Sequence, residues 1–164
     1  MPDDNNNNQP VNSDPTKRQT SLLNDKSVHP PMPVEDRTAR PQSGRLSAPW
    51  RLLMQIGEQN QTTVGIEVKD RIVLGRADPV GSFYPDLDLS PYGGQEGGVS
   101  RRHATIIQDE DNKALYLEDL NSTNGTRING FSLEPNRRYR LRDGDELEFG
   151  RVRVVLRFVR SPYQ

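Results

Sequence analysis

Four short clusters of this chain hold groups able to grip a small anion: Gly75-Arg76, Ser100-Arg101-Arg102-His103, Asn121-Ser122-Thr123-Asn124-Gly125-Thr126 and Asn129-Gly130. Arginine offers a planar guanidinium that donates twice to a phosphate or carboxylate. Serine adds a hydroxyl donor, asparagine an amide that both donates and accepts, and glycine the turns that bring backbone close to a ligand. Singly, each cluster has a plain explanation: a solvated surface arginine, a polar loop, a capping turn. Gly-Arg and Asn-Gly pairs are commonplace. What carries weight is that all four occur in order between residues 75 and 130.

Catalytic and metal chemistry fit the same residues poorly. Ser100, His103 and Asp119 could be cast as nucleophile, base and orienter, but Ser100 lacks the glycine-flanked elbow of a serine nucleophile. His29 is the only other histidine, and there is no cysteine, so neither a zinc site nor a disulfide framework is expected. Asp109-Glu110-Asp111-Asn112 lacks calcium-loop spacing, and the Gly93–Gly98 stretch is not followed by the Gly-Lys-Ser/Thr of a phosphate-binding loop. The chain is therefore expected to be no enzyme, with no metal and no cofactor.

The clusters must be held by strands. From Trp50 onward, short apolar and β-branched runs alternate with turn signals, which predicts strands at 50–56, 63–69, 71–74, 86–89, 104–108, 113–118, 126–128, 132–133, 138–141, 146–149 and 152–159. Asn129-Gly130 is the strongest hairpin signal, because both central residues of a type I′ turn need positive φ. Val152, Val154, Leu156 and Phe158 alternate with arginines, as in a sheet with one buried and one wet face. About ten or eleven short, mostly antiparallel strands without a helical period make an all-β sandwich the expected fold.

Composition divides the chain in two. No aromatic residue precedes Trp50, and eight of the 13 prolines fall before it while 12 of the 13 glycines follow it. Residues 1–48 are accordingly expected to be a disordered polar tail, and 49–164 a folded domain long enough to bury a core. A net charge of −1 argues against a nucleic-acid binder. No run of about 18 apolar residues offers a membrane span, and the N-terminus has no secretory pattern. A cytoplasmic location is the expectation.

In order and spacing the four clusters resemble the forkhead-associated (FHA) domain, a phosphothreonine-peptide reader. The resemblance covers roughly residues 50–160 and implies an FHA-type β-sandwich. It implies that Arg76 supplies the cation, that Ser100 donates its hydroxyl to the phosphate, and that Arg101 or Arg102 faces the phosphate or the peptide backbone. By the same resemblance Thr123 is expected at the rim of a threonine-methyl pocket and Asn124 is expected to hold peptide backbone. His103 is a buried ring tying two loops together, and Gly75, Gly125, Asn129 and Gly130 give structural support. One departure is the long Ala77–Val99 segment, with Pro79, Gly81, Pro85, Pro91, Gly93-Gly94 and Gly97-Gly98. Because loops carry recognition, this insertion bears on peptide preference more than on phosphate binding.

The function implied is a signalling adaptor that binds phosphothreonine-containing proteins and works with Ser/Thr kinases, without nucleic-acid binding or membrane insertion. An alternative is an autoregulated switch in which the chain's own phosphorylated tail fills the site. Thr20 follows Lys17-Arg18-Gln19 and Thr38 follows Arg37, so both are candidate phosphorylation sites. A flexible chain of about 30 residues spans about 30 Å, enough to fold back. A remoter alternative is an FHA scaffold reused for phosphate-independent protein binding.

Overall fold

The computed structural model describes Pro31 and residues 50–160, with the side chains of 51–159 in the folded part. The tail expectation, with Thr20 and Thr38, lies outside the described residues. Eleven strands form: β1 (Trp50–Ile56), β2 (Thr62–Glu67), β3 (Arg71–Gly75), β4 (Leu87–Asp88), β5 (Ala104–Asp109), β6 (Ala114–Asp119), β7 (Thr126–Ile128), β8 (Phe131–Ser132), β9 (Arg138–Arg140), β10 (Glu146–Phe149) and β11 (Val152–Arg160). A single 3-10 turn, Ser90–Tyr92, follows β4. Among the described residues no helix is long and apolar enough to cross a membrane.

The strands make two sheets, ordered β2-β1-β11-β10-β7-β8 and β4-β3-β5-β6-β9. All pairings are antiparallel except β3 with β4, where Leu74 faces Leu87. The two-residue period of a strand puts one set of side chains inward. From the first sheet these are Leu52, Met54, Ile56, Ile128, Leu147, Phe149, Val154 and Leu156. Facing them from the second are Ile72, Leu74, Ile106, Leu115, Leu117 and Tyr139, and together they form one core. Every expected strand is present.

Differences lie at the ends and amount to one or two residues, and one of them has a clear cause. The strand after Asn129-Gly130 begins at Phe131 rather than Ser132, because Asn129 (φ 50°) and Gly130 (φ 84°) are the whole loop and Ile128 pairs directly with Phe131. Tyr116 is buried where it lies between Ile107 and Arg140 of the flanking strands.

Antiparallel pairing brings four connections to one end of the sandwich. Ala104 opens β5 opposite Leu74 near the end of β3, and Asp119 closes β6 opposite Ala104. Phe149, ending β10, pairs with Thr126 at the start of β7. The β3–β4, β4–β5, β6–β7 and β10–β11 connections therefore share that end, and three of the four clusters lie on them. Replacing fully buried Leu156 by alanine is expected to cost about 2–5 kcal/mol in denaturant unfolding, since it leaves a cavity between the sheets. A loss below about 1 kcal/mol would contradict this packing.

Candidate functional site: a loop-built anion cradle

Arg76 begins the β3–β4 connection, and its backbone is fastened to the β4–β5 loop. Its N–H is shared between the carbonyls of Ser100 (3.1 Å) and Arg101 (3.2 Å). This approach leaves no room for a side chain at Gly75, where a Cβ would overlap the Arg101 carbonyl oxygen. The Arg76 Nε donates to Val99 O at 3.3 Å, which aims the guanidinium. No carboxylate forms an ion pair with it among the described residues, although Asp78 and Asp88 are close enough to feel its charge.

Ser100 joins two loops. Its Oγ accepts the Thr123 N–H at 3.1 Å, leaving the hydroxyl proton available to a ligand. Its own N–H donates to Nδ1 of His103 (3.0 Å), while Nε2 of that ring lies 2.9 Å from Gly125 O. A carbonyl can only accept and a backbone N–H can only donate, so the ring is the neutral tautomer protonated at Nε2. His103 is wholly buried, packed edge-on to Phe149 at 5.7 Å between centroids. Burial is the largest influence on its pKa and lowers it, more than offsetting the Gly125 carbonyl and the Asp119 charge.

Asp119 organises the loop that carries Thr123 and Asn124. Its carboxylate accepts the Ser122 N–H (3.0 Å), the Ser122 hydroxyl (2.6 Å) and the Thr126 hydroxyl (2.5 Å). Ser122 Oγ in turn accepts the Gly125 N–H. A carboxylate that accepts three hydrogen bonds from its own loop is a turn acceptor. Thr123 and Asn124 remain exposed at the tip.

Residues 72–150 match the family model described as FHA domain. The chain carries an FHA domain. It is 45% identical over 71 residues to protein FraH of Nostoc sp., a match covering 43% of this chain and 24% of that protein. To the FHA domain-containing protein FhaA of Mycobacterium tuberculosis it is 42% identical over 60 residues, 37% of this chain and 10% of FhaA. The chain thus spans a quarter or less of the curated relatives it matches. Among solved structures it is similar to the FhaA FHA domain complexed with the intracellular domain of Rv3910, at 27% identity and a TM-score of 0.50, covering 65% of this chain and 99% of that one. FHA domains are binding modules rather than enzymes, and as a family they read phosphothreonine peptides.

In this FHA domain the two remaining arginines are already engaged. Arg101 pairs with Asp78 at 2.7 Å, and the Arg102 guanidinium lies 4.7 Å above the Phe83 ring. Both line a cavity of about 450 Å³ with Ser100, Asp78, Gly81 and Phe83. Asp78 and Phe83 went unnoticed in the sequence; they are joined by an isolated β-bridge, with paired N–H···O bonds of 2.8 and 2.9 Å. The Arg101 hydrogen bond first, then the Gly81 N–H, hold the Asp78 carboxyl below its usual pKa. Asn129 and Gly130 sit outside this cradle: Asn129 braces the β10 end through Asp145 (2.9 Å) and the Glu146 N–H (2.9 Å).

The buried ring gives stability a pH dependence. Because the folded pKa of His103 lies below the unfolded value of 6.5, its contribution is complete above pH 6.5. As pH falls below that value the unfolded state takes up a proton that the folded state refuses. Stability then declines by up to about 1.4 kcal/mol per pH unit until the folded pKa is reached. His103→Gln is expected to be less stable at neutral pH and to lack that slope, as measured by denaturant unfolding from pH 7.5 to 5. An unchanged slope in the variant would assign the effect to other groups.

Proposed function

We propose that this FHA domain binds phosphothreonine-containing protein segments, and that the chain acts as a signalling adaptor downstream of Ser/Thr kinases. The observation that carries the reading is that Arg76 and Ser100 come from different connections yet share a backbone hydrogen bond, with a guanidinium that has no carboxylate partner among the described residues and an available hydroxyl proton at one end of the sandwich. A phosphothreonine brings close to two negative charges and three acceptor oxygens, which suits a guanidinium and a hydroxyl. Arg101 and Arg102 flank them, and the exposed Arg101 can exchange its partner Asp78 for the stronger phosphate.

Thr123 is assigned to the rim of the methyl pocket and Asn124 to the peptide backbone, with His103, Gly75, Gly125, Asn129 and Gly130 supporting the loops. FhaA, whose FHA domain is described in complex with the intracellular domain of Rv3910, supports a protein segment as the class of occupant. That segment bears a kinase's product, on another protein or, by the sequence expectation, at Thr20 or Thr38 of this chain. A short peptide buries little area, so the complex is transient and carried mostly by the phosphate.

Isothermal titration with matched phosphothreonine, phosphoserine and unmodified peptide libraries tests this. The phosphothreonine pool is expected to bind, the unmodified pool not at all. The threonine methyl adds about 0.8 kcal/mol on area grounds, so phosphoserine binds more weakly rather than not at all. Arg76→Ala is expected to cost about 2–5 kcal/mol of binding. Near-normal affinity in that variant, with the fold intact, would refute the role given to Arg76.

A further inference from the structure

The glycine-rich insertion is wound tightly onto the rest of the domain. Gly94 N–H donates to Leu89 O (3.0 Å), Gly97 N–H to Gly93 O (2.7 Å), Gly98 N–H to Gln95 O (3.1 Å) and Val99 N–H to Gly94 O (2.7 Å). The β10–β11 turn fastens it from the other side, with Arg151 N–H donating to Gly97 O at 2.8 Å. That turn comes so close that a Cβ at Gly150 would overlap the Gly97 oxygen. The Gly98 carbonyl is thus a fixed acceptor, and Asn124 Nδ2 donates to it at 2.9 Å.

We infer that Gly98 is a positioning residue for Asn124, turning the Asn124 amide so that its Oδ1 accepts a backbone N–H of the bound peptide. This rests on the reading of the site as a phosphothreonine-peptide site. A free asparagine amide presents its donor or its acceptor with equal ease. Here one N–H of the amide is given to the Gly98 carbonyl, which fixes which way the planar group is turned, and Oδ1 at its other side has no protein partner among the described residues. Asn124 is exposed, so the acceptor faces the ligand side.

Glycine is favoured at this position for two separate reasons, and a Cβ would push the Asn124 amide aside. Gly98 has φ +73°, a conformation strained for L side chains, and a Cβ there would overlap Asn124 Nδ2. The specificity consequence is that one peptide residue beside the phosphothreonine must carry an N–H. Proline or an N-methylated residue there binds poorly, whatever its side chain.

The test uses the full chain, a phosphothreonine peptide selected from the library titration, and its single N-methyl analogues. Against the wild type, one analogue is expected to bind about threefold to tenfold more weakly, the worth of one hydrogen bond. Gly98→Ala and Asn124→Ala should each weaken the parent peptide by a similar factor and erase the difference between parent and that analogue. Combined, the two substitutions should cost no more than Asn124→Ala alone. Additive losses, or an N-methyl effect that survives in Gly98→Ala, would overturn the positioning role while leaving phosphothreonine binding intact. Failure of the wild type to prefer the phosphothreonine peptide over its unmodified form would instead overturn the reading of the site. Should Gly98→Ala fold poorly, the wild-type Asn124 side-chain amide decides by NMR: a slowly exchanging proton coupled to the Gly98 carbonyl carbon supports the role, and two freely exchanging protons refute it.

Discussion

A single neutral imidazole holds the ligand-facing end of this domain together. His103 is buried, accepts the Ser100 N–H at one nitrogen and meets the Gly125 carbonyl at the other. The two loops it joins lie 22 residues apart in sequence, so no local propensity could set their spacing. Each buried polar group needs its partner, and the ring satisfies one donor and one acceptor only while it carries one proton. Doubly protonated, it would set N–H against N–H at Ser100. Loop geometry, protonation and stability are therefore the same variable at this residue.

A second anchor works in parallel. Asp119 at the end of β6 gathers Ser122 and Thr126, which fixes the chain on both sides of Thr123 and Asn124 while leaving those two exposed. The division is consistent across the site. Side chains that shape the loops are buried and fully partnered; those assigned to the ligand are exposed or hold one surface partner. Loops fastened in this way bind without first being ordered, so little affinity is lost to conformational entropy. An open, polar surface then keeps the total affinity modest.

The strands were readable because alternation is a local signal. Val152, Val154 and Leu156 all face inward as their spacing requires, and Asn129-Gly130 fixed its own hairpin. The cradle was legible only through the order of its clusters along the chain: the resemblance implied His103 as a loop tie, although its partner Gly125 lies 22 residues away. Asp78, Phe83 and Gly98 were not legible. Their roles depend on how the insertion folds back, through the Asp78–Phe83 bridge and the contact of Gly97 with Arg151, and neither contact has a periodic or motif-level trace. The same limit applied to Arg101 and Arg102, whose engagement by a carboxylate and a ring depends on those unforeseen partners.

The electrostatics of the cradle fit the proposed dianion better than a carboxylate. Two carboxylates already lie within reach of the Arg76 charge, yet both are committed elsewhere. Asp78 is held by Arg101 and the Gly81 N–H. At Asp88 burial pushes the pKa up, but hydrogen bonds from the Ser90 side chain and N–H and from the Ala77 N–H, with the Arg76 charge behind them, bring it below the usual value. These acids offset part of the positive field, so a singly charged peptide carboxylate gains little by entering. A phosphate carries nearly twice the charge and three acceptor oxygens. In the proposed complex it takes the guanidinium and the Ser100 hydroxyl together and still competes for Arg101, whose own side chain is exposed. In the function proposed here, selectivity at this end of the sandwich would come from acids placed beside the cation as much as from the cation itself.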